Sequence, residues 1–230
     1  GGARPFSAEE LVEGLLSDLN RIRSPGACSS GLADVVVFSG DAVNEGSSDA
    51  EYEESHRFLS LLYKRLFPEL ENTGDRTRLV MVPGNHDVNW AECSRSTTQD
   101  ADAPDLEEEE HYSSLEVPRW PWFFRKTTYR QKFAHFATLL KSLTDKEWTP
   151  DFESQVLEYP LASPEPQFGL PGVVLLGLNS AYRVHHESNV AGLHLDAMAR
   201  ALRILREKYP RDNWIRGLVQ HHPFSDHSDK

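Results

Sequence analysis

The sequence predicts an α/β fold with buried sheets, and three observations carry that prediction. Three short runs are apolar throughout and a fourth is broken only around Arg216, they alternate with stretches of helical periodicity, and polar residues stand directly after three of the runs. A strand covered on both faces needs apolar side chains at every position, whereas a half-exposed strand alternates. Strands separated by helices give the layered α/β architecture.

In chain order, Ser7 and Glu10 have the spacing of a capping box, and Leu11, Leu15, Leu19 and Ile22 follow at helical intervals. Ser24, Pro25 and Gly26 end that helix. Val35 to Phe38 reads as the first strand and leads into Ser39, Gly40 and Asp41. Ser48 and Glu51 form a second capping-box spacing. Phe58, Leu61, Leu62 and Leu66 give the next helix its apolar face, and Pro68 stops it. Leu79 to Val82 is the second strand, ending at Pro83, Gly84, Asn85, His86 and Asp87.

The stretch 91–169 has a different character and reads as an insertion or cap-like region within one domain of residues 1–230. It opens with a polar run and the acidic block Glu107 to Glu110, which reads as a solvated loop. Trp120, Trp122, Phe123 and Phe124 follow, as a local core beneath the insertion, a cap or a partner surface. Phe133, Phe136, Leu139, Leu140 and Leu143 mark a helix, and Pro160, Pro164 and Pro166 an irregular connection. Val173 to Leu176 is the third strand. Met198, Leu202, Leu205 and Tyr209 lie on one face of a helix ended by Pro210. Ile215 to Val219 is the fourth strand, leading to Gln220, His221, His222 and Pro223.

The 230 residues suffice for a sizeable core, with 39% hydrophobic and 26% charged residues. No apolar run approaches a membrane span. Cys28 and Cys93 are the only cysteines and lack a CxxC context, so two thiols in a reducing cytoplasm are expected rather than a disulfide framework or a thiolate zinc site. The net charge of −12 counts against a nucleic-acid backbone binder, although bound divalent cations would reverse the sign locally.

Ligand sites in open α/β sheets gather at the carboxyl ends of strands. Asp41, the Asn85, His86 and Asp87 group, and His221 with His222 all stand there. They offer carboxylate, amide and imidazole donors without thiolate, a set suited to manganese, iron, zinc or magnesium. A carboxylate can bridge two cations. Two cations about 3.5–4 Å apart clamp a phosphoryl group and lower the pKa of a bound water. Gly40 and Gly84 permit close backbone approach beside these residues.

The runs Val36 to Asp41, Val82 to Asp87 and Leu218 to Pro223 closely resemble the calcineurin-like metallophosphoesterases. The segment Leu176 to Ser180, followed by Gly192 and an amphipathic helix, looks like the branch of bacterial cyclic-nucleotide phosphodiesterase-like proteins. The resemblance implies an αββα sandwich, two stacked mixed β-sheets flanked by helices. It implies a metal-dependent phosphoester hydrolase, a phosphodiesterase, using two divalent ions (Mn2+ or Fe2+, with Zn2+ or Mg2+ as alternatives) to activate a hydroxide. Asp41 would bridge the metals. Asn85 would bind the second metal and touch the substrate phosphate, and His221 would be a further ligand of that metal. His86 would assist the leaving group, with Asp87 orienting its imidazole. His222 is the substrate-binding member of its pair.

Two motifs of the family, an Asp-x-His before the Gly-Asp motif and a Gly-His-x-His after the His-His-Pro motif, are not matched between Gly1 and Lys230. They are expected to lie outside these residues, which would leave the chain incomplete for activity. A nuclease of the same superfamily and a degenerate regulatory or binding module of a larger protein are the alternative readings. His185, His186 and His194 read as an exposed loop, Asp226, His227 and Asp229 as a polar terminus. Ser39 lacks the strand–turn–helix context of a nucleophile.

Overall fold

The computed structural model describes residues 6–22, 33–71, 73, 75–98, 123–150, 155–184 and 192–222. Helix α1 (Ala8–Ile22) starts at the expected capping box: Glu10 N–H donates to Ser7 Oγ at 3.2 Å and Ser7 N–H to Glu10 Oε2 at 2.8 Å. Strand β1 (Val36–Phe38) leads through the first candidate loop to α2 (Asp49–Leu66), which returns the chain to β2 (Leu79–Met81). The two strands are parallel, with Val37 opposite Val80, as a crossover connection through a helix gives.

The stretch after β2 holds α3 (Trp90–Ser96), a small antiparallel pair of β3 (Thr97–Thr98) and β4 (Phe123–Phe124), then α4 (Lys126–Tyr129) and α5 (Ala134–Thr144). Strand β5 (Val156–Ala162) pairs antiparallel with β6 (Gly172–Leu178). After α6 (Leu195–Glu207), β7 (Trp214–Val219) pairs parallel with β6. The fold is therefore α/β with two principal sheets, one parallel and one mixed among the described residues, and helices packed on them.

Two expectations change. The proline-rich connection at Pro160 is a strand. Pro160 lies on β5, an outer strand whose register shifts between Pro160 and Ala162, and an outer strand at a bulge tolerates a residue with no N–H to donate. In addition, β1 and β7 are not covered on both faces: Val37, Ile215 and Leu218 are exposed. Both are outer strands of their sheets, so an apolar run here does not mean full burial among the described residues.

The sheets meet through side chains from β2, β5 and β6. Val82 N–H donates to Phe38 and Val36 N–H to the Arg78 carbonyl, so the backbone groups of Met81 point away from β1. Tyr159 of β5 takes up that free edge: its hydroxyl donates to Met81 O at 2.6 Å and accepts Met81 N–H at 3.3 Å. Val174, Leu176 and Leu178 of β6 pack against Ala201, Leu205 and Tyr209 in a second core cluster.

Lys132 is a fully buried lysine. Its Nζ donates to the carbonyls of Tyr182 at 2.6 Å and Val184 at 3.0 Å, and lies 4.5–5.0 Å from the ring centroids of Phe124, Tyr129 and Phe133. Burial pulls its pKa down to about 7. This links the helices after β4 to the chain segment beyond β6. Phe124 is buried against Tyr129, as the local-core reading expects, while Trp120 and Trp122 lie outside the described residues, as do Cys28 and the 107–110 acidic run.

Candidate active site

Three strand ends, from β1, β2 and β7, converge. Directly after β1, Gly40 and Asp41 both adopt positive φ, 103° and 57°. The left-handed conformation is costly for a residue with a Cβ, so Asp41 has to be held there. The loop after β2 holds it. Asp87, fully buried, accepts the N–H of Asp41 (2.9 Å) and of Gly84 (2.8 Å) on Oδ2 and of Ala42 (2.9 Å) on Oδ1. Burial pushes the Asp87 carboxyl up to about 7, against the pull of these amides; the neighbouring Asp41 charge pushes the same way as burial. In return, His86 N–H donates to Asp41 Oδ1 at 3.0 Å. A Cβ on Gly84 would overlap the Asp41 carboxylate and amide, and one on Gly40 would lie 2.6 Å from His221 Nδ1. The two glycines are the condition for this close approach.

His221 brings in the third strand end. Its Nδ1 lies 2.8 Å from the Ser39 carbonyl, and its Nε2 lies 3.0 Å from Asn85 Oδ1 and 3.3 Å from Asp41 Oδ2. A carbonyl can only accept, so Nδ1 carries the hydrogen. Nε2 of the neutral ring then faces two oxygen acceptors with no hydrogen between them. A metal cation, a proton on Nε2, or the Asn85 amide turned to donate its NH2 satisfies that point. Among the described residues no group of three or more His, Cys, Asp or Glu side chains could hold a metal ion. The convergent set is two such side chains, Asp41 and His221, completed by the Asn85 amide. Its oxygen and nitrogen donors fit a hard or borderline divalent cation.

His86 and His222 flank this cluster. His86 is exposed, with Nδ1 2.8 Å from the Asn44 carbonyl. The sequence reading gave Asp87 as the partner of this imidazole. The structure gives Asn44 instead, because both Asp87 oxygens are already turned to the amides of the neighbouring loop. Asn44 is fixed in turn by α2: Glu51 Oε2 accepts the N–H of Asn44 (2.7 Å) and of Glu45 (3.0 Å). The second capping box is thus half made, with Glu51 N–H on Ser48 Oγ at 3.3 Å and the Glu51 carboxylate serving the catalytic-side loop. His222 stacks edge-on to His221, with ring centroids 4.7 Å apart. Burial, and then His221, lowers its pKa, while Asp41 and the Ser180 main chain raise it. A cleft of about 560 Å³ opens beside Asp41 and His86, walled by Asn44, Glu51, Glu54 and Ser55.

The six candidate side chains therefore occupy one site. Sequence reasoning missed Ser39 and Asn44, which act through backbone carbonyls, and gave no role to Ser180, which contacts His222. His194 is elsewhere, packed edge-on against Tyr182 at the start of α6. His185, His186, Asp226, His227 and Asp229 lie outside the described residues.

The family model for calcineurin-like phosphoesterases matches residues 7–229. The chain belongs to that family. No curated protein and no solved structure matches it. As a calcineurin-like phosphoesterase it is, at the level of class, a metal-dependent hydrolase of phosphoesters, and its substrates are phosphoesters.

Proposed function

We propose that this calcineurin-like phosphoesterase is a phosphodiesterase with a dinuclear centre, loaded with Mn2+ or Fe2+. The observation supporting it most is the approach of Asp41, Asn85 and His221 around one point beside an open cleft that also holds His86. When bound, the divalent ions would neutralise phosphoryl oxygens and lower the pKa of a water nucleophile. Asp41, Asn85 and His221 are the described residues that would hold them.

The remaining residues act on the substrate directly or through their neighbours. His86, held at Nδ1 by the Asn44 carbonyl, presents Nε2 to the cleft. In the imidazolium form this nitrogen delivers its proton to the departing alcohol oxygen, a contribution of about 10²–10⁴ in rate. Asn85 and His222 hydrogen-bond the non-bridging phosphoryl oxygens. Asp87 is a positioning residue that keeps Asp41 in its left-handed conformation. A cytoplasmic location accords with the cysteine usage, and no described helix is long and apolar enough to cross a membrane.

The test is hydrolysis of a chromogenic phosphodiester and of the matching monoester by the full chain after manganese loading. A higher kcat/KM for the diester is expected. Turnover of the monoester alone contradicts the diesterase reading, and turnover of neither agrees with the expectation that these residues are incomplete for activity.

A further inference from the structure

The two adjacent imidazoles at the end of β7 have partners of different kinds. Nδ1 of His221 faces the Ser39 carbonyl, so its hydrogen sits on Nδ1 and Nε2 is bare. Nδ1 of His222 instead faces a hydroxyl, Ser180 Oγ, at 3.0 Å. The same Oγ accepts the backbone N–H of His222, also at 3.0 Å.

Ser180 is only 2% exposed, so its one hydroxyl hydrogen needs an acceptor within the protein. Among the described residues, His222 Nδ1 is the acceptor paired with it. The hydroxyl therefore donates to Nδ1 and accepts from the main chain, and the hydrogen of the neutral His222 ring is placed on Nε2. The opposite arrangement, Nδ1–H donating to Oγ, would strand the serine hydrogen in the interior.

The fold explains why these groups meet. Strands β6 and β7 run parallel with Gly177 opposite Val219. Ser180 and His222 each lie three residues beyond that pair, so the register carries them to the same level. Asn179 and Gln155 anchor the β6 side: Asn179 Nδ2 donates to Gln155 Oε1 at 2.7 Å, and Asn179 Oδ1 accepts Ala181 N–H at 3.0 Å.

We propose that Ser180 is a positioning residue that sets His222 as the Nε2–H tautomer, opposite to His221, so that the pair divides into one metal ligand and one hydrogen-bond donor. A ring with hydrogen on Nε2 has no lone pair there for a cation and offers an N–H to a phosphoryl oxygen. The assignment of ligand and donor rests on the proposed metal site, whereas the tautomer assignment rests on hydrogen-bond accounting alone.

The experiment is long-range ¹H–¹⁵N correlation spectroscopy of the metal-free full chain labelled with ¹⁵N-histidine, at a pH where both rings are neutral. Expected are Nδ1–H for His221 and Nε2–H for His222. Ser180→Ala should mix the His222 tautomers, and Ser180→Thr should restore the single form. A wild-type His222 protonated at Nδ1, or a Ser180→Ala spectrum unchanged at His222, overturns the proposal. The wild-type spectrum decides the tautomer even if the alanine variant does not fold. Zinc should then shift Nε2 of His221 and leave His222 protonated. Coordination by His222 overturns the division of roles. A shift at neither ring overturns His221 as a ligand, and with it the proposed metal site, while the tautomers still judge Ser180 separately.

Discussion

Replacing Asp87 by alanine should separate the two loops that build the site. In the structure this one carboxylate satisfies the N–H groups of Asp41, Ala42 and Gly84, at 2.9, 2.9 and 2.8 Å. The variant orphans all three donors. Each buried, unsatisfied donor costs about 1–3 kcal/mol. Water can enter the space left by the carboxyl, so the low end applies, about 1 kcal/mol per donor and about 3 kcal/mol in all. A domain of ordinary stability, about 5–15 kcal/mol, still folds with that loss. The second effect is local. Asp41 loses the contact that holds its positive φ, so its carboxylate is no longer fixed opposite His221. Loss of such a supporting partner lowers metal affinity by about 10–100-fold. Urea unfolding followed by tryptophan fluorescence reads the first effect and a manganese binding isotherm the second. A loss below about 1 kcal/mol together with unchanged manganese affinity would refute the bracing role.

His86→Ala should lower diester turnover by about 10²–10⁴ while manganese binding is retained, measured by steady-state kinetics and elemental analysis on the same sample. Gly84→Ala should destabilise the chain by about 1–3 kcal/mol in urea and weaken manganese binding, because the new Cβ displaces Asp41. A neutral outcome would mean that the loops do not approach as closely as described. Lys132 gives a pH dependence. Its folded pKa is depressed to about 7, against about 10.4 unfolded, so between these values the unfolded chain holds more protons. Stability tied to this group is complete above the unfolded pKa and is lost as pH falls towards 7. The stability difference between wild type and Lys132→Met should therefore grow by about 1 kcal/mol per unit from pH 7 to pH 9, and a flat difference would show that the lysine is not held by burial.

Much of this arrangement was legible in the sequence because strand ends and side-chain chemistry coincide. Unbroken apolar runs located β1, β2 and β6, a run interrupted by Arg216 located β7, and the residues immediately after β1, β2 and β7 are those that meet at the site. Strand β5 was hidden because proline reads as a breaker, and only its outer position with a register shift makes Pro160 acceptable. The support of the imidazoles was hidden for another reason. Ser39 and Asn44 act through carbonyls, which every residue possesses, so no sequence pattern marks them. Asp87 invited pairing with His86 because the two are adjacent in sequence. In a tight turn neighbouring side chains diverge, and the carboxylate turned inward to the amides while the imidazole turned out to the cleft.

The central claim is that Asp41, Asn85 and His221 together hold a divalent cation. Elemental analysis of the manganese-loaded full chain and of its His221→Ala variant tests it most directly. The account predicts at least one ion per chain in the wild type and a loss of metal in the variant. A wild type that retains no manganese, or a variant that retains as much as the wild type, would contradict it.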